Sequence, residues 1–130
     1  MSELRVIIAG GGTGGHLFPA LAIGEELKSR GTDVMYMGST YGIEAKQLRD
    51  RNEKMRLLNI RGIQRSFSMA SIGQNLLFPF KFIKGYIDSV FTILKFNPQV
   101  VVGTGGYASG LPLLAALLLK KKTLLQEQNS

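Results

Sequence analysis

The chain has 130 residues, of which 45% are hydrophobic and 19% charged, so it is long and apolar enough to form one globular domain and is not wholly disordered. It contains no cysteine and one histidine, which excludes disulfides, thiolate metal sites and multi-histidine metal sites. We therefore expect no metal and no cofactor. The formal net charge of +7 favours an anionic partner, but no recognised nucleic-acid-binding motif is present, so we expect no nucleic acid.

Predicted strands and helices alternate along the chain. Hydrophobic periodicity predicts strands at about 4–9, 33–37, 55–60, 99–103 and 123–126, with helices at about 17–30, 43–52, 72–96 and 109–120. Such alternation is typical of a parallel sheet with right-handed crossovers and helices on both faces. The sequence thus predicts an α/β fold, a doubly wound, Rossmann-like parallel sheet with strand order 3-2-1-4-5.

Five glycines occupy six consecutive positions between the first predicted strand and the first predicted helix. We call residues 10–16 the first glycine turn. Glycine lets a ligand approach the backbone without a Cβ in the way, and a helix N-terminus presents unpaired N–H groups to an anion. This context predicts a site for a phosphate or another polar ligand.

A second glycine-rich segment, residues 103–110, follows the fourth predicted strand, and we call it the second glycine turn. The polar end of the chain, residues 126–130, follows the fifth strand. In a sheet of order 3-2-1-4-5 the topological switch point lies between the first and fourth strands, and ligands bind at the carboxyl ends of those strands. We expect the three loops to converge on one rim.

The spacing Gly10-x-Gly12-x-x-Gly15 also matches the dinucleotide-binding fingerprint. That motif requires an acidic residue at the end of the second strand, where this chain has residues 37–40, Met-Gly-Ser-Thr. A nicotinamide-dependent dehydrogenase is therefore a disfavoured alternative. A P-loop is excluded because no Lys-Ser or Lys-Thr follows the glycines.

Three residues near these turns carry ionisable side chains. His16 lies at the start of a helix, whose dipole favours the neutral imidazole that can accept a proton; a capping or packed histidine is the alternative. Glu127 is a second acid–base group, a group that orients a ligand hydroxyl, or a solvated loop carboxylate. Glu44, near the start of the second helix, is most simply explained as a partner of that helix dipole.

The long helical region has two apolar faces. At about 100° per residue, one stripe is predicted to face the core: Leu76, Phe80, Ile83, Ile87, Val90, Phe91 and Leu94. The other face is typical of an interfacial membrane patch: Leu77, Phe78, Lys81, Phe82 and Lys84. Alternatively, Pro79 begins or kinks the helix and the aromatic residues pack internally.

Residues 60–71 lack periodicity and are interpreted as a mobile surface loop.

Three ordered motifs resemble the N-terminal half of the MurG family, over essentially the whole chain: Gly11-Gly12-Thr13-Gly14-Gly15-His16, residues 103–110 and Glu127-Gln128-Asn129. Residues 97–102, Asn-Pro-Gln-Val-Val-Val, are similar to the segment that precedes the family's second glycine loop. The family comprises inverting GT-B glycosyltransferases that transfer N-acetylglucosamine from UDP-N-acetylglucosamine to the muramoyl C4 hydroxyl of lipid I, giving lipid II in peptidoglycan synthesis.

The resemblance assigns roles to positions of this chain. It implies catalytic roles for His16, as general base or diphosphate contact, and for Glu127. It implies that the two glycine turns face the acceptor diphosphate, with substrate-binding residues Gly12, Thr13, Gly14, Gly15, Gly105, Gly106, Tyr107, Ser109, Gln128 and Asn129. One position departs from the family: Gln126 stands where a histidine is common, so an imidazole there is not required in this protein.

The resemblance also implies a context for the chain. Residues 1–130 are expected to form the acceptor- and membrane-binding domain, without the domain that holds most of the UDP-sugar, and to be inactive alone. The expected location is peripheral, on the anionic cytoplasmic face of the bacterial inner membrane, and the N-terminus lacks the layout of a signal peptide. A non-catalytic, membrane-recruiting acceptor-binding subunit of a split glycosyltransferase is the alternative.

Overall fold

The computed structural model describes residues 4–11, 14–40, 42–59 and 69–126, although the side chains of residues 14, 69–78, 107 and 108 lie outside that description. The strands are β1 (Arg5–Ala9), β2 (Asp33–Ser39), β3 (Met55–Leu58), β4 (Val100–Gly103) and β5 (Lys122–Leu125). The helices are α1 (Gly14–Ser29), α2 (Glu44–Asp50), α3 (Met69–Phe96) and α4 (Tyr107–Leu118). Each predicted strand and helix is present in the predicted order.

The five strands form one sheet of order β3-β2-β1-β4-β5, in which every neighbouring pair is parallel. This confirms the predicted doubly wound sheet. Because side chains alternate along a strand, β1 supplies Ile7 and Ala9 to one core and Val6 and Ile8 to the other. The first core includes residues of α3 and α4, and the second includes residues of α1 and α2.

Both helices next to the glycine turns begin earlier than predicted. Helix α1 starts at Gly14 and α4 starts at Tyr107, whereas periodicity placed their starts near residues 17 and 109. Glycine carries no hydrophobic signal, so the helical period becomes visible only after the first turn of each helix. Consequently His16 is the third residue of α1.

The predicted core stripe of α3 is wrong at five of its seven positions, although Val90 is half-buried and packs against the first core. Phe80, Ile83, Ile87, Phe91 and Leu94 are exposed, with exposed fractions from 46% to 72%. The buried positions are Gly85, Ser89 and Ile93, which recur every four residues. Gly85 and Ser89 are small enough for close packing, and the Ser89 hydroxyl is satisfied by donating to the Gly85 carbonyl at 2.8 Å. Ile93 supplies the apolar contact of this face with the first core.

The exposed residues Phe80, Ile83, Ile87, Phe91 and Leu94 form what we call the outer ridge of α3.

The predicted loop at 60–71 is helical over residues 69–71, and residues 60–68 lie outside the described part of the chain. Helix α3 is 28 residues long. Neither it nor any other helix within the described ranges combines the length and apolar character needed to cross a membrane.

Candidate active site at the two glycine turns

The sheet register brings the two glycine turns side by side. Ala9, the last residue of β1, pairs with Gly103, the last residue of β4. The next residue of the second turn continues this pairing, because the Thr104 N–H donates to the Ala9 carbonyl at 2.9 Å. The turns therefore leave the sheet together at the predicted switch point.

His16 and Thr104 join the two turns by two hydrogen bonds. The Thr104 hydroxyl donates to the backbone carbonyl of His16 at 2.7 Å. The His16 Nδ1 lies 3.2 Å from the backbone carbonyl oxygen of Thr104. A carbonyl oxygen can only accept, so Nδ1 carries the proton in this bond. In the neutral ring the Nε2 lone pair is then available to accept a proton.

The imidazole of His16 lies against the glycines of the second turn. A Cβ at Gly105 would stand 2.6 Å from Nδ1, and one at Gly106 would stand 3.1 Å from Cδ2. Gly105 also has φ +108°, a conformation that other residues rarely adopt. The imidazole therefore occupies space that a side chain at Gly105 or Gly106 would fill.

Helices α1 and α4 both begin at this rim, and their N-terminal backbone N–H groups have no partner within their own helix. Ser109 is buried in the first turn of α4, where its N–H and its hydroxyl both donate to the Gly106 carbonyl. The Ser109 hydroxyl is thus used to order the turn. Two helix N-termini at one rim suit a negatively charged ligand.

Glu44 is a site residue that the sequence analysis missed. It is the first residue of α2, as expected of a dipole partner, but it is completely buried and its carboxylate accepts the Ser39 N–H at 2.7 Å. The same carboxylate lies against Gly11 of the first turn. The only sequence signal was an acid that follows closely on Gly38 and Gly42.

Seven of the twelve predicted catalytic and substrate-binding residues can be located, His16 among them. Gly15 is exposed in the first turn of α1, Gly14 and Tyr107 are the first residues of α1 and α4, and Gly105, Gly106 and Ser109 lie in the second turn. The remaining predicted residues lie outside the described part of the chain: Gly12, Thr13, Glu127, Gln128 and Asn129. In the predicted membrane patch, Phe82 and Lys84 are exposed and Lys81 is half-buried, while the side chains of Leu77 and Phe78 are not described.

Within the described ranges, no three or more histidine, aspartate or glutamate side chains come together in a way that could hold a metal ion. Among the described groups, one imidazole, backbone N–H groups and two helix dipoles can act on a ligand here. Such a set can accept a proton and stabilise negative charge.

The sheet order and the paired glycine turns define a class of protein. The sheet is that of the N-terminal, Rossmann-like domain of GT-B glycosyltransferases. The crystal structure of SsfS6, a Streptomyces sp. SF2575 glycosyltransferase, shares this fold, with a TM-score of 0.66 at 13% identity over 96% of this chain. More specifically, the chain belongs to glycosyltransferase family 28, whose N-terminal domain model matches residues 6–130.

Relatives within the family confirm the resemblance to MurG. The crystal structure of Acinetobacter baumannii MurG has a TM-score of 0.78 and 30% identity, covering 98% of this chain and 36% of that one. Two curated relatives are UDP-N-acetylglucosamine–N-acetylmuramyl-(pentapeptide) pyrophosphoryl-undecaprenol N-acetylglucosamine transferases. That of Syntrophus aciditrophicus is 46% identical over 98% of this chain, and that of Flavobacterium psychrophilum is 39% identical over 100% of this chain. The chain spans 35% of the length of each relative.

Proposed function

We propose that this chain is the acceptor half of an inverting N-acetylglucosaminyltransferase. The reaction transfers N-acetylglucosamine from UDP-N-acetylglucosamine to the C4 hydroxyl of the muramoyl sugar of lipid I. Membership of family 28 and the transferase activity for which the two curated relatives are named support the reaction class. The observation that carries a chemical role for this chain is the position of the His16 imidazole between two glycine turns.

In the proposed mechanism His16 is the general base. Donation from Nδ1 to the Thr104 carbonyl holds the ring and directs the lone pair to Nε2. As the acceptor C4 oxygen attacks the anomeric carbon, its proton passes to Nε2, the new glycosidic C–O bond forms, and the bond from the anomeric carbon to UDP breaks. A single displacement of this kind inverts the anomeric configuration.

The N-termini of α1 and α4 are proposed to hold the diphosphate of lipid I. Both helices start in the glycine turns, and the first backbone N–H groups of a helix have no acceptor within it. Thr13, Tyr107, Gln128 and Asn129 are proposed to contact the acceptor, and Glu127 to act as a second acid–base group or to orient a hydroxyl. UDP-N-acetylglucosamine is proposed to bind mostly outside these 130 residues, so that the chain alone has no turnover.

The same proposal includes peripheral attachment to the anionic cytoplasmic face of the bacterial inner membrane, where lipid I is embedded. It is supported by the outer ridge of α3 and by two neighbouring lysines, Lys81 and Lys84. Apolar side chains that dip into the interface and cations that meet anionic headgroups together bind a membrane surface. The proposed surface therefore combines residues that were expected in the core with Lys81 and Lys84 of the predicted patch, whereas Phe82 of that patch is exposed on the other face of α3.

The test of the base uses two substitutions of His16 in the protein at its native length. His16→Asn keeps an N–H donor close to the position of Nδ1 but removes the Nε2 lone pair, whereas His16→Ala removes both. Because base catalysis contributes about 10²–10⁴-fold, both variants should lose kcat by roughly that factor. The measurement is transfer of labelled N-acetylglucosamine to lipid I.

The outcomes separate base catalysis from ring packing. If His16→Asn retains near-normal kcat while His16→Ala does not, the imidazole orders the turns and is not the base. If neither variant loses kcat, His16 has no chemical role. A wild-type protein that transfers no sugar to lipid I would overturn the proposed reaction itself.

A further inference from the structure

The fully buried carboxylate of Glu44 has no part in the proposed mechanism. Its exposed fraction is 0%, although it is the first residue of a helix of seven residues at the edge of the site. Burial of a carboxylate is unfavourable unless hydrogen bonds replace those of water. One such bond is the donation of the Ser39 N–H to Oε1 at 2.7 Å. An apolar side chain at this position would leave the Ser39 N–H without this acceptor.

Three glycines surround the Glu44 side chain. A Cβ at Gly38 would stand 2.5 Å from Cγ, one at Gly11 would stand 2.5 Å from Oε2, and one at Gly42 would stand closer still to Oε2. These glycines belong to the end of β2, the first glycine turn and the β2–α2 loop, respectively. The carboxyl group is therefore the point where three backbone segments meet.

The contact extends from Glu44 to the imidazole. Gly11 lies against the carboxylate on one side, and its own carbonyl oxygen is in the space that a Cβ of Gly106 would occupy. Gly106 in turn lies against the His16 ring. The first turn is thus packed between Glu44 and the second turn, and its distance from His16 depends on the support behind it.

We propose that Glu44 is a positioning residue, which fixes the first glycine turn against the second and so sets the shape of the acceptor site. It acts through Gly11 and does not touch the substrate. The inference rests on the proposed function for its kinetic consequence, but its structural part concerns only the placement of the turn. Replacement of the carboxylate should therefore affect acceptor binding more than donor binding.

The experiment compares Glu44→Ala, Glu44→Gln and Glu25→Ala in the protein at its native length. Glu25 is an exposed glutamate on α1 that pairs with Arg51, so Glu25→Ala is the matched control. Because Glu44→Ala leaves the buried Ser39 N–H without this acceptor, we expect KM for lipid I to rise about tenfold while KM for UDP-N-acetylglucosamine changes by less than about twofold. Glu44→Gln keeps an oxygen that can accept from that N–H, so its KM for lipid I should stay close to the wild-type value.

A second readout does not need turnover. In hydrogen–deuterium exchange, Glu44→Ala should speed exchange at Gly10 and Gly11 about tenfold while β4 is unchanged, because the turn loses its support. Since Glu44→Gln preserves the bond to Ser39, it serves as the folded variant if Glu44→Ala does not fold, and it should then show turn exchange close to that of the wild type.

Either of two results for Glu44→Ala would overturn the inference. The first is an unchanged KM for lipid I together with turn exchange at the wild-type rate. The second is a fall in kcat and Tm with both KM values unchanged, which is the pattern of a merely structural residue. If Glu44→Ala does not fold, fast turn exchange in Glu44→Gln would overturn it instead. A wild-type protein without transferase activity would overturn the proposed function. The exchange rates at Gly10 and Gly11 in Glu44→Ala, compared with the wild type, would still decide whether Glu44 positions the turn.

Discussion

Thr104 and His16 are joined by two hydrogen bonds that run in opposite directions between the glycine turns: the threonine hydroxyl donates to the histidine carbonyl, and the histidine Nδ1 donates to the threonine carbonyl. Thr104→Val removes the first bond and keeps the shape of the side chain. Since a partly buried hydrogen bond contributes about 1 kcal/mol, the free energy of unfolding should fall by about that amount. Because the ring is then held less firmly, kcat should fall as well.

Chemical denaturation and steady-state kinetics measure these two effects of Thr104→Val. Thr104→Ser, which retains the hydroxyl, is the control and should keep most of the wild-type kcat. Loss of kcat in the serine variant without loss in the valine variant would mean that the methyl group, and not the hydroxyl, holds the turns together.

Two glycines of the second turn offer a matched pair of alanine substitutions. A Cβ at Gly105 would stand 2.6 Å from His16 Nδ1 on a backbone with φ +108°, whereas nothing lies within 4 Å of a Cβ at Gly110, inside α4. Gly105→Ala should therefore destabilise the fold by about 1–3 kcal/mol and displace the imidazole. Gly110→Ala should stabilise it by about 0.5–1 kcal/mol, because alanine favours the helix.

Thermal unfolding and kcat together check this pair. Gly105→Ala should lose kcat as well as stability, and Gly110→Ala should retain kcat. If both variants had the same activity, the contact between the Gly105 backbone and the imidazole would have no role in turnover.

The sequence was sufficient to predict that the two glycine turns lie side by side at the switch point, but not which contacts hold them together. Glycine runs after predicted strands follow from local pattern, and the strand order then placed both turns at the switch point. The roles of Glu44 and Thr104 depend on contacts across the fold: Thr104 bonds to a residue 88 positions away, and Glu44 packs against Gly11. No local spacing encodes such contacts, so a buried glutamate was interpreted as a simple dipole partner.

Helix α3 shows a different limit of sequence analysis. Periodicity correctly identified an apolar stripe, but it could not decide whether that stripe faces the protein or an external surface, because both are apolar environments. The buried face uses Gly85 and Ser89, which have little hydrophobic signal. The buried side of α3 therefore combines these small residues with the apolar Ile93, and Tyr86, Val90 and Phe96 pack beside it.

The outer ridge of α3 leads to a prediction about membrane binding. The double variant Phe80→Ser, Ile83→Ser should lower binding to anionic vesicles by about tenfold or more, since each side chain loses apolar area that would be buried in the interface. Vesicle sedimentation at low and high salt measures the effect, and the residual binding should fall with salt because lysines contribute.

The control for the ridge is a second exposed apolar surface of the same protein. Leu114 and Leu117 are exposed on α4, and their double serine variant should bind vesicles as the wild type does. If the α4 variant loses binding and the α3 variant does not, the membrane surface lies on α4 and the assignment of the ridge is wrong.

Tyr36 gives a prediction about stability at high pH. Its hydroxyl is buried on β2, and within the described part of the chain it has no hydrogen-bond partner. Burial, followed by the carboxylates of Glu53 and Glu25, raises the pKa of Tyr36 from 10.0 to about 12, although Arg51 lowers it in part. The folded protein therefore keeps this proton over a range of pH in which the unfolded chain releases it.

The direction of the effect follows from that difference. Below pH 10 both states hold the Tyr36 proton and its contribution to stability is complete; between pH 10 and about 12 only the folded state holds it, so the free energy of unfolding falls as the pH rises, by about 2–3 kcal/mol in total. Tyr36→Phe should remove this loss. It should change the free energy of unfolding at pH 8 by less than about 1 kcal/mol, because the hydroxyl has no hydrogen-bond partner within the described part of the chain. Urea denaturation across this pH range measures the difference between the variants. Tyr86→Phe, at a half-buried position of α3, is the control and should show the same alkaline loss as the wild type; an equal loss in Tyr36→Phe would mean that other groups account for it.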